Sequence, residues 1–137
     1  MSLFKVFDVA GSAMNAQSVR LNVTASNLAN AGSVNGDPDK VYRARQPVFA
    51  SFEESLTAAG SGVGVQLKGI VESSAPLQAQ YQPQHPDADE NGNVWLSNVN
   101  AVEEMVNMMS ASRSYQNNVE LINTTRDLLL QTLSLGR

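Results

Sequence analysis

The side chains best suited to chemistry gather in PQHPDADENGNVWLSN, residues 83–98. Asp87, Asp89, Asn91 and Gly92 match the opening of an EF-hand calcium loop, and Val94 falls at its apolar eighth position. The closing position, where a bidentate glutamate completes the coordination, is Asn98, and Pro83 and Pro86 keep a helix from running into the loop. The better reading is a surface turn in which Asp, Asn and Gly satisfy neighbouring backbone groups. His85 is the sole histidine and cysteine is absent, so neither a histidine pair nor a thiolate can hold a metal or attack a substrate. Glu53 and Glu54, like Glu103 and Glu104, are adjacent in sequence and so diverge rather than converge as an acid pair. No glycine-rich phosphate loop follows a strand. The expectation is a chain with no catalytic residues, no bound cofactor and no metal. Arg43 and Arg45, on one face of a short strand, are the best candidates for a directed electrostatic contact.

The segments that must position these groups are short. YRARQPVF (42–49) alternates, with Tyr42, Ala44 and Gln46 on one side and the two arginines on the other, and Pro47 confines it to an edge or ends it. Val63, Val65 and Leu67 repeat at period two, as do Leu77, Ala79 and Tyr81, and Val94–Leu96 makes a further β-like piece. GSVNGDPDK (32–40) is a cluster of turn formers and reads as a flexible loop. A unit built from pieces this small buries too little surface to stand alone, so it reads as an insertion carried by something longer.

That something lies at the two ends. From Val99 to Leu135 the positions Met105, Met108, Ser112, Tyr115, Val119, Ile122, Arg126, Leu129 and Leu133 recur in steps of three and four, the seam of a helix lying along another helix. Asn100 and Glu103 are placed as a capping box, and Gly136 stands where a stop belongs. Leu3, Phe7, Ala10, Met14, Gln17, Leu21, Thr24 and Leu28 give the same spacing on a slimmer, alanine-rich helix ended by Asn30 and Gly32. The predicted fold is mainly α (α+β): N- and C-terminal helices, residues 1–31 and 98–137, paired as an antiparallel coiled coil around a small β-rich insertion at 32–97.

A net charge of −4 and a pI near 4.8 argue against nucleic acid or an anionic membrane surface as a partner. No apolar run approaches the ~20 residues of a membrane span. MSLFKVFDVAGSAMNAQ, with Asp8 and no unbroken apolar stretch, does not read as a cleaved leader.

Several long motifs resemble a known family. ASNLANAGSVNG (25–36), closing DVAGSAMNAQSVRLNVTASNLANA, is similar to the N-terminal signature of bacterial flagellar axial proteins, those of rod and hook. YRARQPVF, HPDADENGNV and SNVNAVEEMVNMMSASRSYQNNVELINTTRDLLLQTL continue the likeness to the flagellar basal-body rod proteins over nearly the whole chain. One departure is Trp95-Leu96-Ser97, where the family leads one to expect a proline before Asn-Val-Asn.

The resemblance implies a structural subunit of the tubular, torque-carrying drive shaft that crosses the periplasm and encloses the export channel. It further implies that the flagellum's own export apparatus secretes the chain without a cleaved signal. Partners are then other rod and axial proteins and copies of itself. The candidate assembly interface takes Leu3, Phe7, Met14, Leu21 and Leu28 from the first seam, with Asn27 and Asn30 from the signature. From the strand it takes Tyr42, Arg43 and Arg45, and from the second seam Met105, Met108, Tyr115, Val119, Ile122, Leu129 and Leu133. The competing readings are a calcium-responsive helical binding module and a free-standing coiled-coil interaction protein.

Overall fold

The computed structural model describes residues 3–53 and 63–135. Two helices hold roughly half the chain, α1 (Leu3–Ala29) and α2 (Ala101–Leu135), with five strands between them: β1 (Val34–Asn35), β2 (Arg45–Glu53), β3 (Val63–Glu72), β4 (Gln78–Tyr81) and β5 (Asn93–Leu96). At 27 and 35 residues the helices run to about 40 and 50 Å. Each starts or stops where local chemistry requires. Asn100 caps α2, its Oδ1 accepting from the backbone N–H of Val102 at 3.1 Å and of Glu103 at 3.5 Å. Beyond α1, the Asn30 side chain donates to Ser26 O and the Ser33 hydroxyl donates to Asn30 O, each reinforcing a backbone N–H bond to the same carbonyl. Gly136, the expected stop of α2, lies outside the described residues, as does Glu54.

The strands form two sheets, both antiparallel. β5 is central in the first, flanked by β1 (Val34 opposite Leu96) and β4 (Gln78 opposite Leu96). The 32–40 segment is thus a tied structure rather than a flexible loop. Asn35 Oδ1 accepts from Asp37 N, Asp37 Oδ1 accepts from Asp39 N, and Lys40 pairs with Asp37 at 3.1 Å. Gly36 is there because its Cα lies so close to the Asp87 carbonyl that a Cβ would collide with it. The second sheet is the long β2–β3 hairpin, with a register shift between Val48 and Phe49. Pro47 is tolerated within β2 because a two-stranded sheet has only edges. The strand begins at Arg45 rather than Tyr42, because the N–H of Ala44 is taken instead by the Asn98 side chain at 2.7 Å.

The buried apolar residues are small: Ala10, Ala16, Val23, Val41, Val94 and Ala111. α1 is the common support, making with α2 the most extensive contact between any two elements and also carrying β2 and β3. Slim residues let these backbones approach but bury little area each. A long list of large side chains is correspondingly left exposed, among them Val102, Met109, Ile70 and Leu130. Among the described residues, no helix is long and apolar enough to cross a membrane.

Candidate assembly interface

Three segments meet at Asn27, which is 1% exposed and uses its whole hydrogen-bonding capacity. Its Nδ2 donates to the Arg45 carbonyl at 2.8 Å and to Glu104 Oε2 at 3.1 Å. Its Oδ1 accepts from the Arg45 N–H at 2.9 Å and from the Tyr42 hydroxyl at 2.8 Å. Two donor hydrogens and two acceptor lone pairs are all an asparagine amide offers, and all four are engaged here. The last turn of α1, the Tyr42–Arg45 crossing and the first turn of α2 are locked to one another here. Asn98 holds the same crossing through Ala44 N, and its Nδ2 donates to the Ala75 carbonyl at 3.0 Å. Further along α1, the Ser12 hydroxyl donates to Val9 O and accepts from Val65 N at 3.2 Å, fixing β3 to the helix.

The structure brings Asn27, Tyr42 and Arg45 into one cluster and leaves Arg43 out of it. The Arg45 guanidinium lies 5.3 Å from the Tyr42 ring centroid and pairs with Glu72 at 3.2 Å, an exposed bridge of small energetic weight. Arg43 instead donates to the Ala75 carbonyl at 3.4 Å. Asn30 serves its own helix end.

On α2 the least exposed stripe differs by one residue at alternate positions from the seam expected. Met108, Tyr115, Ile122 and Leu129 are half-buried, as the spacing predicts. Between them stand Glu104, Ala111, Asn118 and Thr125, with Ala111 and Thr125 the buried residues of this helix, while Met105, Arg126 and Leu133 are exposed. The reason is steric and electrostatic together. A slim α1 admits the small Ala111 and Thr125, whose hydroxyl is satisfied by Leu121 O at 2.7 Å, and Glu104 finds Asn27 and Asn107. Val119 and Ser112 are half-buried at the margin of this seam. On α1, Phe7, Met14, Leu21 and Leu28 are half-buried; the side chain of Leu3 lies outside the described residues.

The 83–98 loop spends its acids on its own backbone. Asp89 Oδ1 accepts from the N–H of Asn91 and of Asn93, each at 2.8 Å, and Gly92 takes a φ of 76° against Tyr81 and Pro83. His85 Nδ1 accepts from Asp87 N at 3.1 Å. No group of acids and histidines placed to hold a metal occurs among the described residues.

Sequence reading missed the depth of Asn27's role, although its place one turn before a helix end and fifteen residues before a tyrosine is visible in hindsight. Comparison with known proteins gives the cluster its setting. The family profile described as "Flagella basal body rod protein" matches residues 7–36, and that described as "Flagellar basal body rod FlgEFG protein C-terminal" matches residues 90–135. The chain is 52% identical over 137 residues to the flagellar basal-body rod protein FlgC of Salmonella typhimurium (strain LT2), covering all of both chains. It is likewise 52% identical, over all of both chains, to FlgC of Escherichia coli O157:H7. To FlgC of Buchnera aphidicola subsp. Acyrthosiphon pisum it is 42% identical over 138 residues, covering 99% of each. These relatives are named for a structure and not for a reaction. The chain therefore belongs to the flagellar basal-body rod protein family and is a structural subunit of the rod, not an enzyme.

Proposed function

We propose that this rod subunit builds the shaft through an antiparallel coiled coil of residues 1–31 and 98–137, with the insertion at 32–97 mounted on its side. The observation that carries this is the bond from Asn27 to Glu104, which sets the end of α1 beside the start of α2. Non-exposed residues at 104, 108, 111, 115, 118, 122, 125 and 129 support it, since their spacing of four and three is that of a helix seam. Hydrogen bonds run along a helix axis, so a tube of such pairs resists axial and torsional load over many subunit contacts.

The neighbours are other axial proteins and further copies of this chain. They cover what the isolated subunit leaves open: Met105, Leu133 and the apolar residues beside them on α2, with the half-buried Phe7, Met14, Leu21 and Leu28 contributing from α1. Export through the flagellar apparatus without a cleaved leader belongs to the same reading, as does a place in the periplasm-crossing rod. A calcium-responsive module is not favoured, because Asp89 Oδ1 is already engaged by two backbone donors.

Single cysteines introduced along both helices, in a chain that has none of its own, test the proposal in assembled basal bodies. Disulfide pairs between an α1 and an α2 site that match an antiparallel register, and adducts to other axial proteins from Met105 and Leu133, are expected. A parallel register, or exposed α2 sites that react only with solvent reagents, overturns it. Mass spectrometry of the protein recovered from basal bodies, retaining the residues from Ser2 onward, tests export without cleavage.

A further inference from the structure

Asparagine followed by glycine occurs twice in the chain, at Asn35-Gly36 and at Asn91-Gly92. In such a pair the main-chain nitrogen of the glycine can attack the side-chain carbon of the asparagine, because the glycine has no Cβ to crowd the approach. Exposure alone would choose Asn91, which stands at the surface, over the half-buried Asn35. The hydrogen bonds choose the other way.

The Asn35 side-chain Oδ1 accepts from the Asp37 N–H at 2.9 Å. This is an Asx turn, in which the side chain copies the path of a backbone turn and curls over the peptide that follows. Such a turn sets Cγ of Asn35 close to the Gly36 nitrogen, the relationship that a near-attack conformer requires. Two further features favour reaction there. The Gly36 N–H donates to no group among the described residues, so its proton is open to removal by solvent base. The Asp37 N–H already donates to the oxygen on which negative charge develops as Cγ becomes tetrahedral, and a donor in that place stabilises the charge. At the second pair both features are reversed. The Gly92 N–H is spent on Asp89 O at 2.9 Å. The N–H of Asn93, which would have closed an Asx turn on Asn91, is taken by Asp89 Oδ1 at 2.8 Å.

We propose that Asn35 is a site of spontaneous deamidation, with the Gly36 nitrogen as nucleophile and water as the only co-reactant. The Gly36 nitrogen bonds to Asn35 Cγ and gives up its proton, the Cγ–Nδ2 bond breaks, and the side-chain nitrogen leaves with that proton as ammonia. Water then opens the resulting succinimide. Attack at Cγ gives aspartate, and attack at the main-chain carbonyl gives isoaspartate, in which the chain runs through the side-chain methylene. Either product carries one more negative charge than the parent. Isoaspartate also lengthens the main chain by one atom where there is no room for it. Asn35 is paired with Trp95 across the β1–β5 ladder, and Gly36 lies so near the Asp87 carbonyl that even a Cβ would collide with it. The change therefore loosens β1 from β5 and the 32–40 segment from the 83–98 loop.

Peptide mapping of the full chain tests the site. Trypsin cuts after Arg20 and Lys40 on either side of the first pair and after Lys68 and Arg113 on either side of the second, so each pair is read on its own peptide. During incubation at mildly alkaline pH, acid is expected to appear at position 35 about tenfold faster than at position 91. In concentrated urea, where neither turn persists, the two rates are expected to converge. A folded-state rate at 91 equal to or above that at 35 overturns the proposal. A preference for 35 that survives in urea also overturns it, because the neighbouring sequence and not the Asx turn would then set the rate. Fragmentation by electron transfer separates isoaspartate from aspartate at position 35. The isoaspartate fraction is expected to exchange the amides of β1 and β5 faster than the parent, and unchanged exchange would overturn the loosening of β1.

Discussion

The side-chain amide of Asn27 pairs with the backbone of Arg45 as one strand residue pairs with another: it donates to the carbonyl at 2.8 Å and accepts from the N–H at 2.9 Å. The start of the hairpin is thereby hydrogen-bonded to a helix side chain rather than to a third strand. Because the same amide also holds Tyr42 and Glu104, the β-rich part and the helix pair share one fastening.

Asn27→Asp is the sharpest probe of that fastening. The shape is conserved, but a carboxylate oxygen then faces the Arg45 carbonyl and the Glu104 carboxylate where an NH2 group donated before. The variant is expected to lose about 3 kcal/mol of stability, read from urea unfolding followed by circular dichroism. Asn27→Asp with Glu104→Gln should recover part of the loss, since glutamine can donate to the new carboxylate. No recovery in the double variant would mean that the two side chains do not interact.

Gly36→Ala acts at a distance from the helices. The added methyl meets the backbone carbonyl of Asp87, which cannot swing away as a side chain could. The 87–89 turn must shift, and with it the β5 strand that Asp89 N anchors through Asn93 O at 2.9 Å. A loss of about 2 kcal/mol is expected, with amide exchange at Val94 to Leu96 accelerating before any change in α1.

Asp37 predicts a local pH response. The Asp39 N–H, and then the Lys40 ammonium, hold its carboxyl below the usual aspartate range. A depressed folded-state value means the 37–40 turn is favoured above the ordinary aspartate pKa and loses that support as pH falls through the folded one. Titration followed by carboxyl carbon-13 shifts should place Asp37 below the ordinary aspartate value, and Lys40→Ala should raise it only in part, because the Asp39 N–H remains.

Val119→Asp tests the margin of the α2 seam. Val119 is half-buried in the single chain, and neighbours in the rod should enclose it further. A carboxylate there would face several kcal/mol of desolvation on assembly and little in the free subunit. The subunit should still be secreted to the medium, with swimming lost and the protein missing from basal bodies. Normal swimming with the variant incorporated would place Val119 at solvent in the rod.

Hydrogen exchange separates the two ends of α2. Leu128, Leu130, Leu133 and Leu135 are all exposed, so the last two turns lack the cover that Ala111 and Thr125 enjoy. In the isolated chain those turns should exchange fastest, and they should become protected in basal bodies.

Both helices, the turn chemistry at Asn30 and the cap at Asn100 were legible in the sequence, because periodicity and capping act within one or two turns. So were β3 and β4, from alternation, and β5, as a short β-like piece. The one-residue difference in the α2 seam was not legible. Apolar periodicity selects Met105 over Glu104, but the partner helix offered an amide at that level and little width, and Glu104 answers both. Nor could the sequence place Asn27 against Arg45, since a side chain standing in for a strand leaves no pattern of its own.

The hairpin is joined to α1 at two points, Asn27 to Arg45 and Ser12 to Val65. Fifteen residues of helix separate them, about 22 Å. A single attachment would have been a pivot, about which the hairpin could swing freely under shear. Two attachments that far apart turn a sideways push on the hairpin into a bending couple along α1, so that what projects from the side of the subunit behaves as a stiff outrigger and not as a flap.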